Sequence, residues 1–227
     1  MIVPIDLEAP KGRLILPQVQ TIREALDSDA AVLVVKEREY GYWLSQLKRI
    51  PDIVVCDSQV VLKMVADTPA AVKCTTFSIL FSRLKGDLAE MARGVTAIDS
   101  LRAGDKVLIA ESCSHHAVED DIGRVKIPRW LRQYAGVELD IRSSAGRDYP
   151  EDLETYKLII HCGSCMLTRR EMLFRMEQAK AKGVPITNYG VAISFVQGVL
   201  ERTLEPFPVA LDAYQTQIRI HREETRS

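Results

Sequence analysis

Apolar runs alternate with amphipathic stretches along most of this chain, the rhythm of parallel strands covered by helices. AAVLVVKE (Ala30 to Glu37) and DIVVCD (Asp52 to Asp57) predict strands. Between them, Arg38 to Ile50 carries apolar residues at helical spacing and stops ahead of Pro51, where a helix is expected to end. Ser58 to Asp67 predicts a short helix with Ser58 as its N-cap. VKCTTFSILFS reads as a strand passing into a helix. GDLAEMARGVTAIDSL reads as a helix with Leu88, Met91, Ala92 and Val95 on one face.

Gly104-Asp105 is a turn signal, and the rhythm restarts after it. The order predicted there is strand (Val107 to Glu111), loop, helix (Pro128 to Tyr134), strand (VELDIRS), loop and strand (KLIIHC). A helix, a strand at VPITN, a helix over Val191 to Leu204 and a frayed charged tail, HREETRS, complete it. Pro128 suits the first turn of its helix, where the missing N–H costs little. The expected fold is α/β, with two small domains, each a mainly parallel sheet flanked by helices. They are placed at 1–100 and 101–227.

Composition narrows the function. With 30 basic against 31 acidic residues, nothing points to nucleic acid or an acidic membrane surface. No apolar run approaches the roughly 18–20 residues of a membrane span. MIVPIDLEAPKGR interrupts with prolines and charges where a secretory signal needs an apolar stretch. Five scattered cysteines suit a reducing cytoplasm better than a disulfide framework. Neither GxxxxGK[ST] nor a strand-borne GxGxxG is present, so neither of those nucleotide-binding devices operates in these 227 residues.

The chemistry concentrates in IIHCGSCMLTRREM, Ile159 to Met172. Its CxxC follows a strand, and Thr168 with Glu171 forms a capping box opening the next helix. Met172, Met176 and Ala179 follow at helical spacing as a core face. A thiol pair near a helix N-terminus serves either redox or metal chemistry, because unpaired N–H groups and the macrodipole favour thiolates. ESCSHHAVEDD, Glu111 to Asp121, places Cys113 just beyond another strand. If those strands are neighbours, Cys113, Cys162 and Cys165 meet at one sheet edge. Three thiols exceed what a dithiol centre needs. They are three-quarters of a tetrahedral zinc site or of a [4Fe–4S] ligand set. For the fourth position the candidates are His115, His116, His161, Glu119 and Asp120. Lys126, Arg129, Arg169 and Arg170 are near enough in sequence to meet anionic charge there, although a solvated surface charge is the more ordinary reading of any single one. Cys56 and Cys74 lie in apolar runs and read as small buried hydrophobes, and His221 as a solvated tail residue.

Several blocks together resemble the HydF maturation proteins of [FeFe]-hydrogenase. They are PIDLEAPKGRLILPQVQTIREALD, TTFSILFSRLKGDL, ESCSHH with EDDIGRVKIPRWL, and HCGSCMLTRREM with PITNYGVAIS. That family's cluster signature, a His followed dozens of residues later by HCxxC, is matched by His115 and by His161, Cys162 and Cys165. Cys113 matches the third cysteine. The resemblance implies a [4Fe–4S] scaffold and carrier. Such a protein receives a diiron precursor bearing CO and cyanide from two radical-SAM maturases and delivers it to apo-[FeFe]-hydrogenase. On this reading Cys113, Cys162 and Cys165 are the thiolate ligands, His115 is the preferred fourth with Glu119 or Asp120 next, and His161 hydrogen-bonds the site as readily as it binds metal. The resemblance also implies a homodimer paired through the first domain. The family's GTPase domain has no counterpart in these 227 residues, so GTP hydrolysis is not carried over and no catalytic residue is expected. Two alternatives remain open. One is a structural zinc module with a closed Cys₃His site. The other is a CxxC oxidoreductase, in which Cys113 is dispensable.

Overall fold

The computed structural model describes residues 1–4, 14–112, 121–146 and 149–224. The first part of the chain builds a small parallel sheet. β1 (Ile53–Cys56) pairs in parallel with β2 (Lys73–Thr76), and Ile2 bridges both Cys56 and Val35 on the other side of β1. Around it lie α1 (Leu16–Asp27), α2 (Tyr40–Gln46), α3 (Val61–Asp67) and α4 (Phe77–Lys85). Thr76 ends β2 and caps α4 by accepting from the Ile79 amide, the strand-to-helix passage expected at VKCTTFSILFS.

The second part builds a four-stranded parallel sheet in the order β4-β3-β5-β6. Its strands are β3 (Lys106–Glu111), β4 (Asp140–Ala145), β5 (Leu158–His161) and β6 (Ile186–Asn188). α6 (Ile127–Ala135) connects β3 to β4, and α7 (Arg169–Ala181) connects β5 to β6. α5 (Leu88–Gly94) packs against β6 and against the last helix, α10 (Pro208–Glu224). α8 (Tyr189–Val196) and α9 (Leu200–Leu204) lie between.

Strand periodicity sorts the core into two layers. Val107, Ile109, Leu158 and Ile160 face α6 and α8, in a core that continues into Ile2, Val54, Cys56, Cys74 and Ile79 of the first sheet. Leu108, Ala110 and Ile159 face the other way, onto Met172, Met176 and Ala179 of α7. The strands are apolar on both faces because helices cover both. Both sheets are thus parallel and helix-flanked, and the chain is α/β. Cys56 and Cys74 are buried in its core as small apolar residues.

Four local expectations need correction. Among the described residues Ala30 to Glu37 forms no ladder: Val35 alone makes a bridge, to Ile2 beside β1. Ser58 does not cap a helix. It opens a 3-10 turn (Ser58–Val60) and α3 begins after it. The apolar run Val191 to Leu204 is two helices. Gly198 takes the left-handed conformation (φ 72°), with its amide and that of Val199 bonded back to Phe195 and Ser194 carbonyls. The tail is helical through Glu224, so His221 sits in the last turn of α10 and is only partly exposed.

Candidate functional site

From β3 the chain moves outward to β4, and from β5 outward in the opposite direction to β6. The connectivity therefore reverses between β3 and β5, which are hydrogen-bonded neighbours with Ala110 opposite His161. A crevice outside the carboxyl ends of such strands is where parallel sheets hold ligands. The CxxC follows β5 directly. Cys162 extends the ladder by donating its amide to Ala110 O at 2.9 Å. Ser112 leaves β3 beside it, its amide nitrogen 3.3 Å and its hydroxyl 2.9 Å from Cys162 Sγ.

These surroundings favour a thiolate. Burial pushes the Cys162 thiol up, while the adjoining His161, the two contacts from Ser112 and the Ser164 amide pull it below its ordinary value. Cys165 moves the opposite way, raised mainly by burial and by its proximity to Cys162. The loop between them turns through Ser164, a non-glycine residue at φ 56°. That backbone costs about 1–3 kcal/mol, which the surrounding contacts must offset.

His161 is fully buried, and its ring is fixed from both sides. Arg175 Nη1 lies 2.8 Å from Nε2. A guanidinium only donates, so Nε2 accepts and the proton sits on Nδ1. There it faces Cys162 O at 2.9 Å and Ser164 Oγ at 3.1 Å. Arg175 is itself 4% exposed, donates also to Gly146 O, and lies over the Tyr149 ring with Cζ 5.2 Å from its centroid. His161 thus serves the loop as a hydrogen-bonded anchor, and its Nε2 lone pair is already taken.

The first part of the chain reaches into the same loop. Lys85 Nζ on α4 donates to the carbonyls of Ser164, Cys165 and Leu167 at 3.2, 2.9 and 2.7 Å. Arg169, one of the cations expected near the site, turns back instead to the end of α4, where it donates to Leu84 O at 2.8 Å and Gly86 O at 3.0 Å. Lys126, another, donates to Gln59 Oε1 at 2.7 Å. Arg129 and Arg170 are exposed.

A buried polar group closes the far side. Glu111, at the end of β3 and 2% exposed, accepts from Arg124 Nη2 at 2.9 Å and from Tyr189 OH at 3.3 Å. Arg124 lies in a π-helical turn (Ile122–Lys126) whose cap, Asp121, accepts from the Arg124 amide at 2.7 Å. Gly123 is required there, since a Cβ would stand 2.1 Å from Tyr189 OH. Glu111 and Asp121 thus anchor the two ends of the intervening segment.

Cys113, His115, His116, Glu119 and Asp120 lie outside the described residues. Among the described residues, no three His, Cys, Asp or Glu side chains gather as a metal-holding group, and Cys162 and Cys165 are free thiols. The donor set nonetheless fits a thiolate-bound metal or cluster. Two cysteines follow the end of β5, and the sulfur of the first is in contact with Ser112, the residue before Cys113. Sequence reasoning missed Ser112, Lys85, Arg175 and Tyr189. Arg175 left a signal: with Met172, Met176 and Ala179 it occupies a core phase of α7, where a charged residue needs a buried partner.

Comparison with known families supplies the remaining finding. The Hydrogen maturase F dimerization domain matches residues 1–86, and the Hydrogen maturase F tetramerization domain matches residues 89–206. No curated protein matches the chain. The two matches adjoin and take in both sheets, the CxxC and Ser112, so this chain belongs to the hydrogen maturase F family and carries the oligomerisation domains of a hydrogenase-maturation protein.

Proposed function

We propose that this chain is a [4Fe–4S]-binding scaffold and carrier. On this reading it accepts a diiron CO/cyanide precursor from radical-SAM maturases and passes it to apo-[FeFe]-hydrogenase, working as a cytoplasmic homodimer. The observation that carries the reading is the contact of Ser112 with Cys162 Sγ across β3 and β5. It brings the residue before Cys113 against the first thiol of the CxxC. Cys113, Cys162 and Cys165 would be the thiolate ligands, with His115 preferred in fourth place and Glu119 or Asp120 next. When bound, the cluster would offer one iron without a thiolate, to which an exchangeable group of the precursor can attach.

The protein's own contribution is to hold two sulfurs in place and to favour the anion at Cys162. Ser112 and Ser164 donate to Cys162, while Arg175 fixes the His161 ring that faces the loop. His161, with Nε2 occupied by Arg175, orients the loop, a role its neutral, Nδ1-protonated form suits.

A second reading has one observation in its favour. A lowered Cys162 beside a raised Cys165 is also the pattern of a dithiol oxidoreductase, whose first cysteine attacks and whose second resolves. Anaerobic reconstitution with iron and sulfide separates the two. A charge-transfer absorption in the visible, and a reduced S = 1/2 signal perturbed by imidazole or cyanide, support the scaffold. A colourless protein that cycles a Cys162–Cys165 disulfide with Cys113 replaced supports the oxidoreductase. One tight zinc per chain and no cluster returns the site to a structural Cys₃His module.

A further inference from the structure

Two cations cross in opposite directions between the end of α4 and the CxxC loop. Arg169 covers the last carbonyls of α4, which a helix leaves without partners. Lys85 sends its ammonium the other way, onto Ser164, Cys165 and Leu167 carbonyls. An ammonium has three donors, and all three are satisfied by this one loop.

The direction of the peptide units gives this a chemical consequence. In a trans peptide the N–H points away from the C=O of the same unit. The unit whose carbonyl is that of Ser164 carries the Cys165 N–H, and the unit whose carbonyl is that of Cys165 carries the Met166 N–H. Both of these amides therefore point away from Lys85, and Lys85 fixes the orientation of the two peptide units on either side of Cys165.

We propose that Lys85 is a positioning residue for the CxxC: from α4, within the region matched by the dimerization domain, it holds the peptide units on either side of Cys165 and with them the course of the loop that carries the thiol. It ties the geometry of the loop to the docking of α4, and it leaves Cys162, served by Ser112, on the opposite strand edge. The effect on a bound cluster rests on the scaffold reading above. A cation held beside the loop favours the more negative, reduced state and so raises the potential.

The test compares wild type, Lys85→Met and Lys85→Arg. In metal-free, reduced protein, amide hydrogen exchange over residues 162–168 is expected to quicken about tenfold or more in Lys85→Met, the scale of losing charge-assisted hydrogen bonds. Exchange in β3 and β5 should not change, and Lys85→Arg should recover part of the protection. After iron–sulfide reconstitution, Lys85→Met should reach the wild-type iron content at a more negative reduction potential. Unchanged loop exchange in Lys85→Met overturns the proposal. So does a uniform loss of protection across β3 and β5, which would make Lys85 a general stability residue. Wild-type protein that assembles no cluster counts against the scaffold reading alone, and the metal-free exchange comparison then decides the role of Lys85.

Discussion

Ser112 and Cys162, 50 positions apart in sequence, meet where β3 and β5 end, with the serine hydroxyl 2.9 Å and its amide 3.3 Å from the cysteine sulfur. The contact exists because these two strands are neighbours at the reversal of strand order. It places the residue before Cys113 against the first cysteine of the CxxC.

Replacing Ser112 by Ala removes one of those donors and keeps the other. The Cys162 thiol, held below its ordinary value of 9.0, should rise toward it. Alkylation of metal-free protein near pH 7, followed by peptide mapping, should show slower labelling of Cys162 in Ser112→Ala. Wild-type protein should label Cys162 before Cys165, because the second thiol is raised.

The same thiol makes stability depend on pH in a known direction. An acid titrating lower in the folded than in the unfolded chain adds stability that is complete above its unfolded value and lost as pH falls through its folded value. For Cys162 that window lies just below its ordinary value of 9.0. The Tm of metal-free, reduced wild type should therefore rise relative to Cys162→Ser as pH is raised through this window. A difference that stays flat would show that the thiol is not held as an anion.

Arg175 is a structural cation under the loop. Arg175→Met keeps the apolar phase of α7 but leaves His161 Nε2 and Gly146 O without their donor. Denaturant unfolding should show a loss of about 2–3 kcal/mol, as for other buried polar groups deprived of a partner. Arg175→Lys should recover little, since one ammonium does not reproduce the planar fork stacked on Tyr149.

Close approach of α8 to α4 sets a further constraint. A Cβ on Gly190 would stand 2.7 Å from Ser78 Cβ and 2.8 Å from Thr76 Oγ1. Gly190→Ala should thus cost about 3 kcal/mol through overpacking. Thermal melts would register the loss, along with faster exchange in the CxxC loop if α4 moves away and takes Lys85 with it.

The legible parts of this molecule were those written in local pattern. KLIIH announced a buried strand, TRRE a capped helix, and Met172, Met176 and Ala179 its inner face; each depends only on residues within a few turns. The apolar run Ala30 to Glu37 advertised a strand equally well, yet side-chain pattern reports preference and not the presence of a neighbour to pair with. Gly198 splits what periodicity would join, because one left-handed residue redirects the chain. The period of α10 continues past the charges that suggested a frayed tail, and the helix is held by packing on α5. Lys85 and Arg175 could not be read at all as partners of the CxxC. Lys85 works across about 80 positions, a distance that only the fold closes.

The central claim is that three thiolates hold one iron–sulfur cluster in the crevice between β3 and β5. The most direct measurement is the iron and sulfide content of anaerobically reconstituted protein, compared across single Cys→Ser variants at all five cysteines. The account expects about four irons per chain in wild type, retained when Cys56 or Cys74 is replaced and lost when Cys113, Cys162 or Cys165 is replaced. A Cys113→Ser protein that holds as much iron and sulfide as wild type, or a wild-type protein that binds zinc and no sulfide, would contradict it.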